Sequence, residues 1–299
     1  MSRKIIFFIN PVSGTGNRKQ LEKKISVRCT KENISFEILF TSAEGDYEFL
    51  RSKIEKEVIT DIVICGGDGS LSPIISSLLN SNINIGIIPT GSGNGLARTA
   101  GIPKSINKAL DVVIAGKSDY VDAFVINNQL SCHVSGLGFD AVVAHEFSKQ
   151  RARGLSTYTR QTIKNFLKIK PYSFWLEVDK TALNVEAFLI CIANSNQFGN
   201  NFKIAPKAKL CDGLLDIVII KRTNKFKVVM AFVKQILFGD VEDVSAKNFN
   251  KKEVLYFQTG KILIRNYGRA PLHIDGDPSQ TFQEFSIEIL PSAYLLIQP

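Results

Sequence analysis

Asp61-Ile62-Val63-Ile64-Cys65-Gly66-Gly67-Asp68-Gly69-Ser70-Leu71, and a short distance on Ile85-Gly86-Ile87-Ile88-Pro89-Thr90-Gly91-Ser92-Gly93-Asn94-Gly95-Leu96-Ala97-Arg98, decide the fold. Each begins as an apolar run and breaks into a glycine-rich turn that opens a helix. Short β-branched runs of this kind suit parallel strands buried on both faces. Ligands of open α/β sheets gather at the carboxyl ends of such strands. Glycine lets backbone N–H groups approach an anion with no Cβ in the way, and the following helix N-terminus adds positive potential. The predicted guest is therefore a phosphate, with Asp68 and Asn94 as polar side chains beside it. Two tight turns that bind nothing are the competing reading. It loses weight because the turns follow successive strands and both carry an acceptor.

Working outward, residues 4–9 read as a first strand that runs into the polar loop Asn10-Pro11-Val12-Ser13-Gly14-Thr15-Gly16, with a helix to about Cys29. Residues 34–40 read as a second strand, Thr41-Ser42 as a helix cap and 43–57 as a helix. Ser72-Pro73 caps and starts the next helix, and 96–115 is helical with a break at Pro103. This alternation predicts an N-terminal Rossmann-like parallel-sheet α/β domain over residues 1–120. After Lys117 the texture becomes strand-like, at 120–126, 129–134, 173–178, 185–193, 214–220, 254–257, 261–264 and 285–290. Helices are expected at about 141–169 and 225–238. The fold class is thus α/β plus all-β, with a C-terminal β-sandwich over 121–289. The last residues, about 290–299, are open to a return to the first domain.

With 299 residues and 44% hydrophobic composition, the chain has ample material for a packed core. Its five cysteines are scattered, form no CxxC pair and stand at no metal-ligand spacing with a histidine, which reads as reduced thiols in a cytoplasmic protein. The start, Ser2 to Pro11, has an apolar run too short for a signal sequence, and no run approaches the roughly 20 residues that span a bilayer. A net charge of +9 favours polyanionic partners or phosphorylated substrates. Nucleic acid is set aside, because the basic residues are not interleaved with an aromatic stacking platform.

Several motif matches fail on inspection. Gly116-Lys117-Ser118 ends like a phosphate-binding loop, but Asp111 stands where the first glycine must be. His145-Glu146 begins like a zinc-protease helix, with Lys149 in place of the second histidine. Gly91, Gly93 and Gly95 lack the dinucleotide spacing. What holds is the series Asn10-Pro11-Val12-Ser13-Gly14, Gly66-Gly67-Asp68-Gly69-Ser70-Leu71, Pro89 to Arg98, Gly136-Leu137-Gly138-Phe139-Asp140, Asp212-Gly213-Leu214-Leu215-Asp216 and Asp275-Gly276-Asp277.

In this order the series resembles the diacylglycerol-kinase catalytic-domain family, which includes bacterial lipid kinases, diacylglycerol kinases, ceramide kinases and sphingosine kinases. The resemblance implies transfer of the ATP γ-phosphate to a lipid hydroxyl, in a cleft between the two domains. It implies that Asn10, Pro11, Val12, Ser13, Gly14, Thr41, Gly66, Gly67, Asp68, Gly69, Ser70, Leu71, Ser72 and Ser92 line the nucleotide, with Asn94 in the second turn and Asp122 at an acidic position of the same polar network. Backbone amides and hydroxyls cannot neutralise a triphosphate, so Mg²⁺ is expected to enter with ATP, helped by Asp68 directly or through water. The family's proton acceptor maps to Asp277, and an alcohol needs such a carboxylate to take its proton. Asp275 would hold Mg²⁺ or bias the acidity of Asp277. An ordinary Asp-Gly β-turn is the competing reading of the same residues.

A structural Mg²⁺ of bacterial members maps to Lys209, Asp212 and Leu214, with a plain turn before the next strand as the alternative. Two departures stand out. Asp277 occupies a position that is often Glu, and Gly95 one that is often Asp in bacterial diacylglycerol kinases, so Ser92 to Gly95 looks closer to the sphingosine- and ceramide-kinase form.

Between Ser148 and Lys170 lie Lys149, Arg151, Arg153, Arg160, Lys164, Lys168 and Lys170 with no acidic residue, beside Tyr158, Ile163, Phe166, Leu167 and Ile169. The segment suits docking on an anionic membrane, where each Lys or Arg contributes on the order of 1 kcal/mol. A solvated basic helix face is the plainer account. The expectation is a cytoplasmic enzyme peripheral to the inner membrane surface, acting on a membrane lipid, with its oligomeric state open and a homodimer as one option. Two rivals remain, an NAD kinase-like phosphotransferase, which shares the Gly66 to Gly69 turn, and a catalytically silent lipid-binding protein.

Overall fold

The computed structural model describes residues 3–13, 18–42, 45–148, 169–196, 203–225 and 253–299. The chain falls into two units, residues 1–122 with 291–299 and residues 123–290.

In the first unit, β1 (Lys4–Ile9) lies between β2 (Ser35–Phe40) and β3 (Asp61–Gly66), both parallel to it. Beyond β3 come β4 (Asn84–Pro89) and the end of the final strand β15 (Glu284–Ile297), where Leu295 and Leu296 pair with Asn84 and Ile85. The spatial order is therefore β2-β1-β3-β4-β15. Chain connections leave β1 in one direction towards β2 and step away from β3 in the other, so the order reverses between β1 and β3. The carboxyl ends of those two strands frame the crevice that open α/β sheets use for ligands.

β3 is buried at every position, as its unbroken apolar run predicts. Helices α1 (Arg18–Lys31) and α5 (Ile106–Ala115) pack on each other, as do α2 (Phe49–Glu57) and α3 (Leu71–Leu78). Right-handed crossovers place the two pairs on opposite faces of the sheet.

The edge of this core is closed by Arg3. Its guanidinium meets the buried Asp61 in a fork, Nε to Oδ2 at 2.8 Å and Nη2 to Oδ1 at 2.9 Å, and donates to the carbonyls of Val113 and Ile114 at 2.7 Å. It thus ties the last turn of α5 to the start of β3, where a cation is favoured by the helix dipole. Gly116 ends α5 at φ +65°, and a Cβ there would lie 2.8 Å from Arg3 Nη1.

Several elements differ from their sequence expectations. The helix expected from residue 43 starts at Phe49, because Gly45 takes φ +70° and the Asp46 carboxylate accepts the Glu48 amide instead. Helix α3 starts at Leu71 rather than at a Ser72-Pro73 cap, fed by a 3₁₀ turn over Asp68–Ser70. Pro73 then sits in the first helical turn, where a missing N–H breaks no bond. Residues 96–115 divide into α4 (Gly95–Thr99) and α5, with Gly101 at φ +72° between them.

The second unit is antiparallel, an architecture of sandwich type. Strand β5 (Ser118–Ile126) enters it and turns back into β6 (Gln129–Ser131). β7 (Val134–Gly138) leads into α6 (Phe139–Ser148). Then follow β8 (Tyr172–Val178), β9 (Thr181–Ala193), β10 (Leu215–Lys221), β11 (Val254–Thr259), β12 (Lys261–Arg265) and the hairpin β13 (Leu272–Ile274) to β14 (Asp277–Ser279). β9 pairs with β7, β8 and β10, and is buried on both faces from Ala187 to Ala193. Ile190 and Ile192 enter one apolar cluster with Leu137, Phe174 and Phe285; Leu189, Cys191 and Ala193 enter another with Val134, Phe139 and Tyr256.

The strand expected over 129–134 is two strands, since residues 131–134 bend around a buried carboxylate. The hairpin β13–β14 was not anticipated as strands, and β15 runs to Ile297 rather than stopping at 290. Of the helix expected over 141–169, the part beyond Ser148 up to 168 lies outside the described residues, as does nearly all of the one expected over 225–238. Among the described residues no helix is long and apolar enough to cross a membrane.

Cys29, Cys65, Cys132 and Cys191 are buried and Cys211 is exposed, all as free thiols. Burial pushes the Cys29 thiol up to about 11 and that of Cys65 further. Burial also raises Cys191, with the Asp140 and Asp216 carboxylates adding to it. A thiol-reactive chromophore should therefore titrate one group in the native protein, Cys211, and all five in denaturant. Rapid modification of more than one native thiol would contradict this packing.

Candidate active site

The two glycine turns at the carboxyl ends of β3 and β4 are built against each other. A Cβ on Gly91 would sit 2.4 Å from Gly67 Cα, and one on Gly67 would sit 3.2 Å from Gly91 Cα. The amides of Thr90 and Gly91 both donate to Gly66 O, at 3.0 and 3.2 Å. Asp68 completes the junction by accepting Gly95 N at 2.9 Å and Leu96 N at 3.2 Å. The N-terminus of the short helix α4 is thus capped by a carboxylate of the chain itself. The helix end expected at this second turn is therefore shared with Asp68, and the backbone following β3 is the other candidate anion seat.

Asn10 bridges β1 to this junction. Its amide donates to Cys65 O at 3.0 Å, its Nδ2 to Ser70 Oγ at 2.8 Å, and its Oδ1 accepts Val12 N at 2.9 Å. Proline after Asn10 and this internal turn explain why the strand stops there. Gly66 has to be glycine, since a Cβ would lie 2.7 Å from Ser70 Oγ. Ser13 Oγ lies 2.8 Å from Thr90 Oγ1 and donates to Asn10 O at 3.2 Å.

Asn10, Ser13, Gly66, Gly67, Asp68 and Ser70 are therefore brought together, along with Thr90, which the sequence motif contained but to which no role was given. Pro11 and Val12 are exposed beside them, Gly69 lies in the 3₁₀ turn, and Gly14 lies outside the described residues. Leu71 and Ser72 are buried in α3, and Ser92 is exposed on the second turn. Thr41 N donates to Ile9 O at 3.1 Å, at the end of β2.

Asn94 is buried at φ +53° and donates Nδ2 to Gly91 O at 2.6 Å, while its Oδ1 is a buried acceptor with no hydrogen bond. Such an orphaned acceptor, next to glycines that no Cβ could replace, suits a polar ligand at these turns. Asp122, 3% exposed, accepts Ser292 N at 2.8 Å, so one of its oxygens fastens the last segment of the first unit.

In the second unit, Asp275 and Gly276 are the central residues of the β13–β14 turn, at φ +50° and +89°. This is the hairpin turn that Asp-Gly favours. The side chain of Asp275 does more than a turn requires. It is buried and accepts Ser131 Oγ at 2.7 Å, Cys132 N at 2.9 Å, His133 N at 3.0 Å and Val134 N at 3.2 Å. Ser135 Oγ in turn donates to Ser131 Oγ at 2.9 Å. Whatever part Asp275 takes in metal holding or in the acidity of Asp277, its oxygens anchor the β6–β7 connection. Asp277 stands exposed at the end of the same turn.

His133 is buried with neither ring nitrogen hydrogen-bonded. His273 lies next to the turn, its Nδ1 accepting Gly276 N at 3.2 Å, and its Nε2 is 3.3 Å from Asp140 Oδ2. The sequence motifs contain Asp140 without a role for it and do not single out His273, because the proximity of the two is visible in no spacing.

Asp212 is exposed and takes Leu214 N on Oδ1 at 3.2 Å and Gln258 Nε2 on Oδ2 at 3.3 Å, with Gly213 at φ +71°. Lys209 and Leu214 flank it in the same turn before β10. Gln258 also reaches the buried Asp216, at 3.4 Å, and Asp216 is hydrogen-bonded by Tyr256 OH. Among the described residues no group of three or more His, Cys, Asp or Glu could hold a metal, so a cation at Asp212 would rest on one carboxylate and backbone oxygens.

The chain thus joins an α/β sheet with two abutting glycine turns to a β-sandwich with an Asp-Gly-Asp hairpin turn. The family described as the diacylglycerol kinase catalytic domain matches residues 4–126, and that described as the YegS C-terminal NAD kinase beta sandwich-like domain matches 133–298. A protein of Shewanella frigidimarina named "Probable lipid kinase YegS-like" is 29% identical over 80% of this chain and 76% of its own. The diacylglycerol kinase of Bacillus subtilis is 23% identical over 90% and 88%. A crystal structure of a diacylglycerol kinase from Bacillus anthracis str. Sterne superposes with a TM-score of 0.75 at 22% identity, over 99% of this chain and 97% of that one. The chain belongs to the diacylglycerol-kinase catalytic-domain family of lipid kinases and is an enzyme of that class.

Gly91→Ala should lower stability by about 1–3 kcal/mol through overpacking and weaken nucleotide binding as the two turns separate. Gly213→Ala, with nothing within 4 Å of its Cβ, should carry only the backbone cost and leave nucleotide affinity as it was. Denaturant midpoints and nucleotide titrations of the two variants compare these directly. Equal behaviour would show that the turn-to-turn contact is dispensable.

Proposed function

We propose that this enzyme transfers the ATP γ-phosphate to the hydroxyl of a membrane lipid, diacylglycerol or a related lipid or sphingoid base, with Asp277 as general base. The observation that carries the reading is the division of labour at the β13–β14 turn. Asp275 is committed to backbone donors inside the unit, while the neighbouring carboxylate, Asp277, is exposed on a turn held rigid by it. A base must reach the hydroxyl proton as the bond to phosphorus forms, and an anchored turn limits its wandering.

The nucleotide phosphates are assigned to the backbone amides after β3 and to Asn10, Ser13 and Ser70, with Asn94 Oδ1 as a further polar contact. Mg²⁺ arriving with ATP would neutralise phosphate charge. Asp68 would reach it through water or with the lone pairs that remain after it caps α4. The structural cation assigned to Lys209, Asp212 and Leu214 would fit a site of backbone oxygens and one carboxylate.

Docking of the basic segment on an anionic membrane at the cytoplasmic side belongs to the same proposal, although Lys149 to Lys168 lie outside the described residues. A second reading, phosphorylation of NAD, draws on the description of the C-terminal family as NAD kinase-like.

One coupled ATPase assay tests both readings, run with mixed micelles of diacylglycerol, monoacylglycerol, phosphatidylglycerol or sphingoid base, and separately with NAD. Lipid-dependent turnover is expected, and turnover with NAD alone would overturn the lipid assignment. Asp277→Asn should lower kcat by about 10²–10⁴-fold with nucleotide affinity nearly unchanged. More than half of the wild-type kcat would remove Asp277 from the mechanism. Asp68→Ala should act first on KM for ATP, because it unfastens α4 from the phosphate turn. Charge reversal at Arg153, Arg160 and Lys164 should weaken vesicle binding and slow turnover on vesicles, while activity on a short-chain soluble acceptor survives.

A further inference from the structure

We propose that His273 and Asp140 are positioning residues for Asp277, acting through the backbone amide of Gly276. The proposal rests on the lipid-kinase reading for the reaction it serves, but its geometry stands independently of that reading.

His273, 2% exposed, lies in β13 opposite Gly136 of β7. Its Nδ1 accepts the Gly276 N–H at 3.2 Å. An imidazole nitrogen that accepts carries no proton, so the ring is the Nε2–H tautomer, assigned here from its hydrogen-bond partner. That Nε2–H points towards Asp140 Oδ2 at 3.3 Å. Oδ2 has no aligned hydrogen bond, so the approach is an electrostatic contact, while Oδ1 accepts Ala141 N at 2.9 Å.

The carboxylate fits this place because residue 136 is glycine: a Cβ there would fall 1.9 Å from Asp140 Oδ2. Its field reaches Cys191, whose thiol burial raises first and Asp140 raises further. A buried carboxylate facing one imidazole has given up most of its hydration, which packing alone does not require. α6 is held to the same strand, since His145 Nε2 lies 3.0 Å from Leu272 O.

The consequence for the turn is that both of its central residues are held. Asp275 is fixed through its carboxylate on one side, and Gly276 through its amide on the other. The Asp275–Gly276 peptide sets the direction in which the chain leaves towards Asp277. With the Gly276 amide released, the turn would pivot about the Asp275 anchor and carry the base with it. A displacement of about 1 Å at a reacting group costs on the order of 10²-fold in rate.

Two isosteres separate the interactions. His273→Asn offers Oδ1 near the place of Nδ1 and retains the acceptor for Gly276, whereas His273→Gln keeps a polar tip towards Asp140 and loses that acceptor. The Gln variant should lose about 10–100-fold in kcat with KM for ATP little changed, and the Asn variant should recover most of the loss. In an Asp277→Asn background, His273→Gln should add nothing, because what it positions is already gone.

Asp140→Asn, which keeps the shape of the side chain, should lower kcat and show the same non-additivity even where a histidine variant folds poorly. Equal losses for Asn and Gln, or losses that multiply fully with Asp277→Asn, would overturn the proposal. Exchange of the Gly276 amide, followed by NMR on the whole chain without substrate, reads the geometry alone. It should be protected in the wild type and in His273→Asn and exchange at least about tenfold faster in His273→Gln. An unchanged rate overturns the couple's hold on the turn. Absence of lipid-dependent turnover in the wild type would sink the kinase reading, and the exchange rates would then still decide the geometry.

Discussion

A carboxylate closed in by backbone amides is the interaction on which the candidate site depends, and among the described residues each unit holds an example. Asp68 takes the first two amides of α4, and Asp275 takes three successive amides of the β6–β7 connection and the Ser131 hydroxyl. In both cases the carboxylate ties down a segment beside the neighbouring strand: Asp68, after β3, holds the start of α4 after β4, and Asp275, after β13, holds the connection into β7. Charge-assisted bonds of this kind are about twice as strong as neutral ones. They supply rigidity where packing cannot.

The same economy explains why the glycines stand where they do. Gly67 and Gly91 let two backbones touch, Gly66 leaves room for the Ser70 hydroxyl, and Gly136 leaves room for the Asp140 carboxylate. Each is defined by what a Cβ would strike. Gly213 and Gly276 are different, since a Cβ would meet nothing within 4 Å, and their requirement is the positive φ of a turn. A motif of glycines thus mixes two physical demands that a sequence alone does not separate.

Much of the architecture was legible. The unbroken apolar runs of β1, β3 and β4 announced a parallel sheet covered on both faces, and the short runs after Lys117 announced an antiparallel sandwich, as found. Element ends were less legible. The helix at Phe49 starts late because of Gly45, and the strand expected over 129–134 divides because Asp275 pulls the chain into a bend. The first cause is local and readable in principle; the second lies 141 to 144 residues away.

For the site, the sequence by itself determined the chemistry on offer: glycine turns after strands, hydroxyls and amides at Asn10, Ser13 and Ser70, and a pair of aspartates around Gly276. Their residue types and spacing carry that information, because backbone accessibility and hydrogen-bonding capacity are properties of the residue and its neighbours. What tertiary structure alone decided was the use of each group. It turned Asp68 into a cap for α4, buried Asp275 as an anchor while leaving Asp277 exposed, and set His273 between Gly276 and Asp140. Those outcomes depend on which distant donors a strand register brings within reach of a carboxylate, and register is set by the packing of whole sheets rather than by the residues that flank the motif.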